Sequence, residues 1–143
     1  MKGFTLMELL LVIGIIGVLA AIVIVAINPN RQLAQARDAK RQSDVNAILN
    51  AVYQYAIDHQ GVLPPGIPSG TLPKEICVTD AASCNGGVNL DVLTGSYIAA
   101  MPVDPHAPAN GTGTEYFIAH DADGRLTVSA PLNEQTLPIT ATR

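Results

Sequence analysis

Nineteen consecutive apolar or glycine residues, Leu9 to Ile27, follow a single carboxylate at Glu8. At about 1.5 Å per residue this run makes roughly 28 Å of helix, close to the roughly 30 Å hydrocarbon thickness of a bilayer. It can span a membrane. An acid inside a membrane-length segment costs about 2.5 to 3.5 kcal/mol on insertion scales, and such residues usually have a partner and a function. A cleavable secretory signal carries an apolar core of only about 7 to 15 residues. This run is longer and leads straight into Asn28-Pro29, so it is expected to be retained.

In front of the run stand Met1-Lys2-Gly3 and then Phe4-Thr5-Leu6-Met7-Glu8. A short basic leader ending in Gly, then Phe and Thr-Leu-x-Glu opening a long apolar helix, resembles the type IV filament proteins, the pilins and pseudopilins. The resemblance implies that residues 1–3 are a prepilin leader, cut by a prepilin peptidase between Gly3 and Phe4, and that Phe4 becomes an N-methylated terminus. It also implies that Glu8 directs assembly by meeting the Phe4 amine of a neighbouring subunit. The arrangement is electrostatically consistent, because losing one member of a buried charge pair leaves the other uncompensated, at a cost of about 3 to 5 kcal/mol.

Glycines at 14 and 17 and alanines at 20, 21 and 26 place small residues along the span, which lets helices approach closely in lipid. Pro29 lacks an amide donor and biases Asn28 away from helical geometry, so a kink or break is expected there. Arg31 to His59 contains no Gly or Pro, and Val45, Ile48, Leu49, Val52 and Ala56 recur at helical spacing. That predicts a second, amphipathic helix with one face needing a partner. Tyr53, Tyr55 and Ile57 either widen the buried stripe or face neighbouring subunits.

Arg31, Arg37, Lys40 and Arg41 are half of the eight Lys and Arg residues and are interleaved with Asp38 and Asp44. They read as a solvated face carrying Lys40–Asp44 (i,i+4) and Arg41–Asp44 (i,i+3) pairs. A second reading is pairing between subunits, since residues 45–143 hold nine acids against three bases. Four interleaved cations and a net charge of −4 make a weak footprint for nucleic acid, and no direct nucleic-acid partner is expected. The same cations conflict with the positive-inside rule, which would leave the C-terminal side in the cytoplasm. The prepilin-type motif, which requires export of the bulk of the chain, outweighs that charge count.

Cys77 and Cys84 enclose six residues, Ser83 among them, without the Cys and His spacing of a metal site. A disulfide is the economical reading outside the cytoplasm, with two free thiols as the alternative. Between the second helix and Cys77, residues 61–73 contain four prolines and three glycines and read as loop. Beyond Cys84, Ser96–Ala100 is a candidate strand. Glu115–His120 and Arg125–Ala130 flank Asp121-Ala122-Asp123-Gly124 as a hairpin, and Pro138–Thr142 is an edge strand.

Tyr97-Ile98-Ala99-Ala100-Met101-Pro102-Val103-Asp104-Pro105 resembles the corresponding part of the major pseudopilins of type II secretion. That family usually continues with Trp-Gly, where this chain has His106-Ala107. Some members bind calcium through C-terminal carboxylates, which makes Asp121 and Asp123 candidate ligands; turn formation is the simpler role for both. No metal or other cofactor is otherwise expected. The chain has no Gly-Lys-Ser/Thr phosphate loop, no nucleophile elbow and no His pair at metal spacing. His59, His106 and His120 are scattered, and Asn110-Gly111-Thr112 matches a glycosylation sequon.

These readings combine into an α+β chain, pilin-like, with a long N-terminal helix whose first half is transmembrane, packed on a small antiparallel sheet head. The expected organisation is a leader at 1–3, a hydrophobic filament-core helix at 4–28, an amphipathic helix at 29–60 and a head at 61–143. Within the head, 61–95 is a loop region with the disulfide and 96–143 is the sheet region. By resemblance the chain is a non-enzymatic type IV pilus subunit, first a single-pass inner-membrane precursor and then part of an extracellular filament for adhesion, motility or uptake. Its partners would be further copies of itself, the prepilin peptidase, the inner-membrane pilus assembly machinery and the membrane. A pseudopilin of type II secretion is the alternative within the family, and a membrane-tethered binding domain that never polymerises is the alternative outside it.

Overall fold

The computed structural model describes residues 3–70, 72–81, 84, 86–135 and 137–143. Met1 and Lys2 of the expected leader, Thr71 of the expected loop and Ser83 between the cysteines lie outside the described residues. The chain divides into two compact units, Met1–Gln35 and Ala36–Arg143.

In the first unit, helix α1 covers Leu6–Ile27, and its apolar side chains are exposed along the whole length. It ends at Asn28, whose backbone adopts left-handed angles (φ 48°, ψ 79°). Helix α2, Pro29–Asp58, starts at once. Two adjacent residues account for the interruption. Pro29 has no amide to continue the α1 ladder and its fixed φ suits the first position of a new helix, while the Asn28 side-chain oxygen accepts from the Arg31 amide at 3.4 Å.

In the second unit, α2 lies on a four-stranded antiparallel sheet, so the fold class is α+β as expected. The strands are β1 (Lys74–Cys77), β2 (Gly113–His120), β3 (Leu126–Ala130) and β4 (Ile139–Thr142), in spatial order β1-β2-β3-β4. Val45, Ile48, Leu49 and Val52 on α2 are fully buried against Tyr116, Ile118, Leu126 and Val128 of the sheet. Each such side chain contributes about 1.5 to 3 kcal/mol of burial, so the helically spaced apolar stripe read in the sequence is the main attachment of helix to sheet. Tyr53 and Tyr55 are half-buried at its edge, whereas Ile57 is 77% exposed. Helix α2 closes with Gln60 at φ 57° and Gly61 at φ 88°, the Gly61 amide donating to Ala56 O at 2.7 Å, a Schellman-type stop.

Hairpin β2–β3 turns through Asp121–Arg125, with Gly124 at φ 79° supplying the left-handed residue the turn requires. Three strand expectations therefore hold within two residues at their ends. Ser96–Ala100 does not. That segment is a turn: the amides of Tyr97 and Ile98 both donate to Leu93 O, Gly95 sits at φ 82°, and Ile98 makes only an isolated bridge to Thr94. Tyr97 and Ile98 fold back onto the core instead of extending along a neighbour. Strand β1 was hidden in the sequence because Lys74-Glu75 open it with two charged residues and its pairing with β2 is interrupted by a register shift between Glu75 and Cys77.

Candidate functional site

At the start of α1, Thr5 caps the helix and Glu8 completes a reciprocal capping box. Thr5 Oγ1 accepts from the Glu8 amide at 3.2 Å, and Glu8 Oε2 accepts from the Thr5 amide at 2.8 Å and from Thr5 Oγ1 at 2.9 Å. Thr-x-x-Glu is the sequence form of this box, so the same residues that resemble a prepilin motif also start the helix. Phe4, one residue before the cap, is 84% exposed. An amine created on Phe4 would lie next to the cap and one helical turn from the Glu8 carboxylate, while α1 beyond it offers only hydrocarbon. Gly3 and Phe4 thus directly precede the cap that Thr5 and Glu8 build.

The second unit holds an ion cluster centred on Arg41. Its guanidinium is fully buried and makes a two-pronged contact with Asp104, Nε to Oδ2 at 2.7 Å and Nη2 to Oδ1 at 3.0 Å. Nη1 donates to Asp38 Oδ1 at 2.7 Å and to Glu134 Oε1 at 3.0 Å. Asp38 in turn accepts from the amides of Glu134 and Gln135, and Arg37 holds Glu134 from the outside through Nε at 2.6 Å. The cluster fastens the 102–106 segment and the loop before β4 to α2.

Residues 37–41 are therefore not simply a solvated face. Lys40 does pair with Asp44, but the expected Arg41–Asp44 contact is replaced by Arg41–Asp104, Arg41–Asp38 and Arg41–Glu134. Asp44 instead accepts the buried Tyr116 hydroxyl at 2.8 Å. The reason is tertiary: the i,i+3 pair that forms is Asp38–Arg41, on the side where the head supplies two more carboxylates. Arg41 is thus spent inside its own head and Arg37 is bound to Glu134, which leaves Arg31 and Lys40 as the exposed cations of that stretch.

These contacts set the charge states. Hydrogen bonds from Arg37 hold the Glu134 carboxyl at about 2, against the usual 4.5, with Arg41 adding to the effect and desolvation opposing it. For Asp38, desolvation is the largest influence and pushes upward, but the Glu134 and Gln135 amides and Arg41 together outweigh it and leave the carboxyl lowered. Arg41 is raised, chiefly by Asp104. Tyr116 is also raised, first by burial and then by Asp44.

A carboxyl lowered by folding stabilises the native state above its unfolded value and loses that contribution as pH falls through its folded value. The melting midpoint of the head is therefore expected to be level between about pH 5 and 8 and to fall between pH 4.5 and about 2. Calorimetry of the solubilised full chain across this range tests it, and Glu134→Gln should flatten the slope; an unchanged slope in that variant would assign the acid sensitivity elsewhere.

Cys77 and Cys84 are joined by a disulfide with Cα atoms 5.4 Å apart. Closing so short a loop is worth roughly 2 to 3 kcal/mol in the chain-entropy view. Asp121 and Asp123 sit in the β2–β3 turn, where Asp121 accepts from the Asp123 and Arg125 amides and both carboxylates contact the Arg125 side chain. Asp121 is lowered, mainly by the Arg125 amide. Among the described residues no three His, Cys, Asp or Glu side chains converge as a metal site.

The histidines are likewise apart. His59 stacks on Tyr55 with ring centroids 3.8 Å apart, His106 lies at the rim of the Arg41 cluster, and His120 approaches Asp121 O. The cluster itself was not anticipated as a unit. Its only sequence signals were Asp38 three residues before Arg41 and the Asp104-Pro105 turn.

No family model matches the chain, and no solved structure matches it. Among curated proteins it is similar to the type II secretion system core protein G of Escherichia coli (strain K12). The two are 41% identical over 58 residues, which is 41% of this chain and 39% of that protein. The chain thus matches well under half the length of that relative. Together with the exposed apolar α1 and the α+β head, this similarity bears out the chain's resemblance to the type IV pilin and pseudopilin family.

Proposed function

We propose that the chain is a non-enzymatic, pilin-like subunit of a membrane-derived polymer. Its leader, residues 1–3, is removed between Gly3 and Phe4 by a prepilin peptidase, Phe4 is N-methylated, and Glu8 pairs with the Phe4 amine of an adjacent copy during assembly from the inner membrane. The segments are the filament-core helix at 4–28, the amphipathic helix at 29–60 and the head at 61–143. The observation that carries the proposal is the capped N-terminal element, Phe4-Thr5-Leu6-Met7-Glu8, opening a 22-residue helix none of whose residues is buried among the described residues. Only lipid or other helices can cover it without leaving that surface in water.

In the preferred role the polymer is a type IV pilus exposed on the cell surface. The similarity to a type II secretion core protein favours equally a shorter secretion polymer. Intact-mass and N-terminal analysis of sheared surface fibres decides between them. Fibres built of chains starting at methylated Phe4 are the expected result. Processed chain confined to the membrane fraction would assign the secretion role, and an uncut Met1 terminus in functional cells would overturn the polymer reading in favour of a simple membrane tether.

A further inference from the structure

Helix α1 ends on apolar residues, and the first charge after it is Arg31, four residues beyond Ile27. Arg31 is exposed, and among the described residues its guanidinium has neither an acid nor a hydrogen-bond partner. The other cations of that stretch are engaged, Arg37 by Glu134, Lys40 by Asp44 and Arg41 by Asp104. Of the four charges that set this sequence against the positive-inside rule, Arg31 is thus the one left unpaired among the described residues.

Its place next to the span determines what can pair with it. A bilayer has about 30 Å of hydrocarbon within about 40 to 45 Å of lipid, which leaves roughly 5 to 8 Å of headgroup layer on each side. Four residues of helical rise cover about 6 Å, so with Ile27 at the edge of the hydrocarbon Arg31 falls in that layer. The anion available there is phosphate. A guanidinium holds phosphate through two parallel hydrogen bonds, and its aliphatic stem lies along apolar surface while the charge stays in polar surroundings. Glu8, in the first turn of α1, is about 28 Å of helical rise from Ile27 and so reaches the opposite edge of the hydrocarbon. Gly3 and Phe4 come before it.

We infer that Arg31 binds the phosphate of phospholipid headgroups where α1 leaves the membrane, and that this contact sets the depth of α1 so that Gly3 and Phe4 stand clear of the hydrocarbon on the other side. The bond cut in the proposed leader removal is then held at a fixed level, within reach of a peptidase. A lysine would offer the phosphate only a point charge, whereas the planar fork of arginine fixes orientation as well as charge. The inference rests on the reading of α1 as a membrane span and adds the lipid group that holds it in register.

Solid-state NMR of the full-length chain, isotopically labelled at its arginine guanidinium carbons and reconstituted in vesicles of phosphatidylethanolamine and phosphatidylglycerol, tests the contact. Of the five arginines, one should lose signal to nearby lipid phosphorus, and that loss should be missing in Arg31→Gln. No loss in a chain that floats with the vesicles would overturn the inference and leave the span standing. Equal loss in both proteins would give the contact to another arginine and overturn it as well, and a chain that does not float would remove the span itself. Depth is read from a spin label on Met7→Cys, an exposed position in the first turn of α1, the native cysteines being joined to each other. Arg31→Leu lets the far end of the span sink into hydrocarbon, so the label should shift toward water on the Glu8 side. A label unmoved by Arg31→Leu would overturn the depth-setting role.

Discussion

Arg41→Ala is expected to destabilise the head by about 3 to 5 kcal/mol, the usual cost of leaving buried charges without their partner. Asp104 is completely buried at its side chain and Asp38 nearly so, and both would face the emptied site. Stability of a domain this size totals about 5 to 15 kcal/mol, so the melting midpoint should fall by more than about 10 °C. Arg41→Lys should recover only part of the loss, because an ammonium cannot hold both oxygens of Asp104 and reach Asp38 and Glu134 as well. In a double-mutant cycle Arg41→Ala and Asp104→Ala should be less than additive by about 0.5 to 3 kcal/mol. Thermal denaturation of the solubilised chain measures the three single variants and the double variant. Additive effects would mean that the two side chains stabilise the fold separately, and the cluster would lose its standing as a unit.

Glu8→Ala is expected to abolish fibres while leaving the melting of the head unchanged, since the hydrogen-bond partner found for the carboxylate is Thr5 in its own helix. Two roles are superimposed on this residue, helix cap and assembly charge, and Glu8→Gln separates them. Glutamine at this position can complete the capping box but carries no charge to meet a Phe4 amine. Fibre yield, read by shearing and immunoblot, should be as low with Gln as with Ala. Normal fibres from Glu8→Gln would show that the cap is what matters and would remove the ion pair from the proposed assembly step. Thr5→Ala isolates the cap from the other side, with an expected cost of about 1 kcal/mol in helix stability and fibres retained.

How much could be read in advance varied along the chain with the range of the interactions involved. Helix α1, the interruption at Asn28-Pro29 and helix α2 were legible because each follows from nearest-neighbour chemistry: an unbroken apolar run, a proline without an amide, a 3.6-residue repeat. The β2–β3 hairpin was legible for the same reason, through Asp121 to Gly124. Strand β1 was not, since Lys74-Glu75 do not alternate and only pairing with β2 makes them a strand. Ser96–Ala100 failed in the opposite direction, Tyr97 and Ile98 packing against the core beside Leu93 rather than in a ladder.

The N-terminal element shows what sequence alone determines about this protein. Thr5 and Glu8 are three residues apart, their hydrogen bonds close within one helical turn, and the apolar run that follows needs no tertiary contact to define it. The Arg41 cluster shows what only the tertiary structure decides. Locally, Arg41 had Asp38 and Asp44 within reach on its own helix, and the choice fell to the side where Asp104 and Glu134, 63 and 93 residues further on, arrive with the folded head. A buried guanidinium needs nearly all its donors satisfied, and one helix cannot supply that many acceptors.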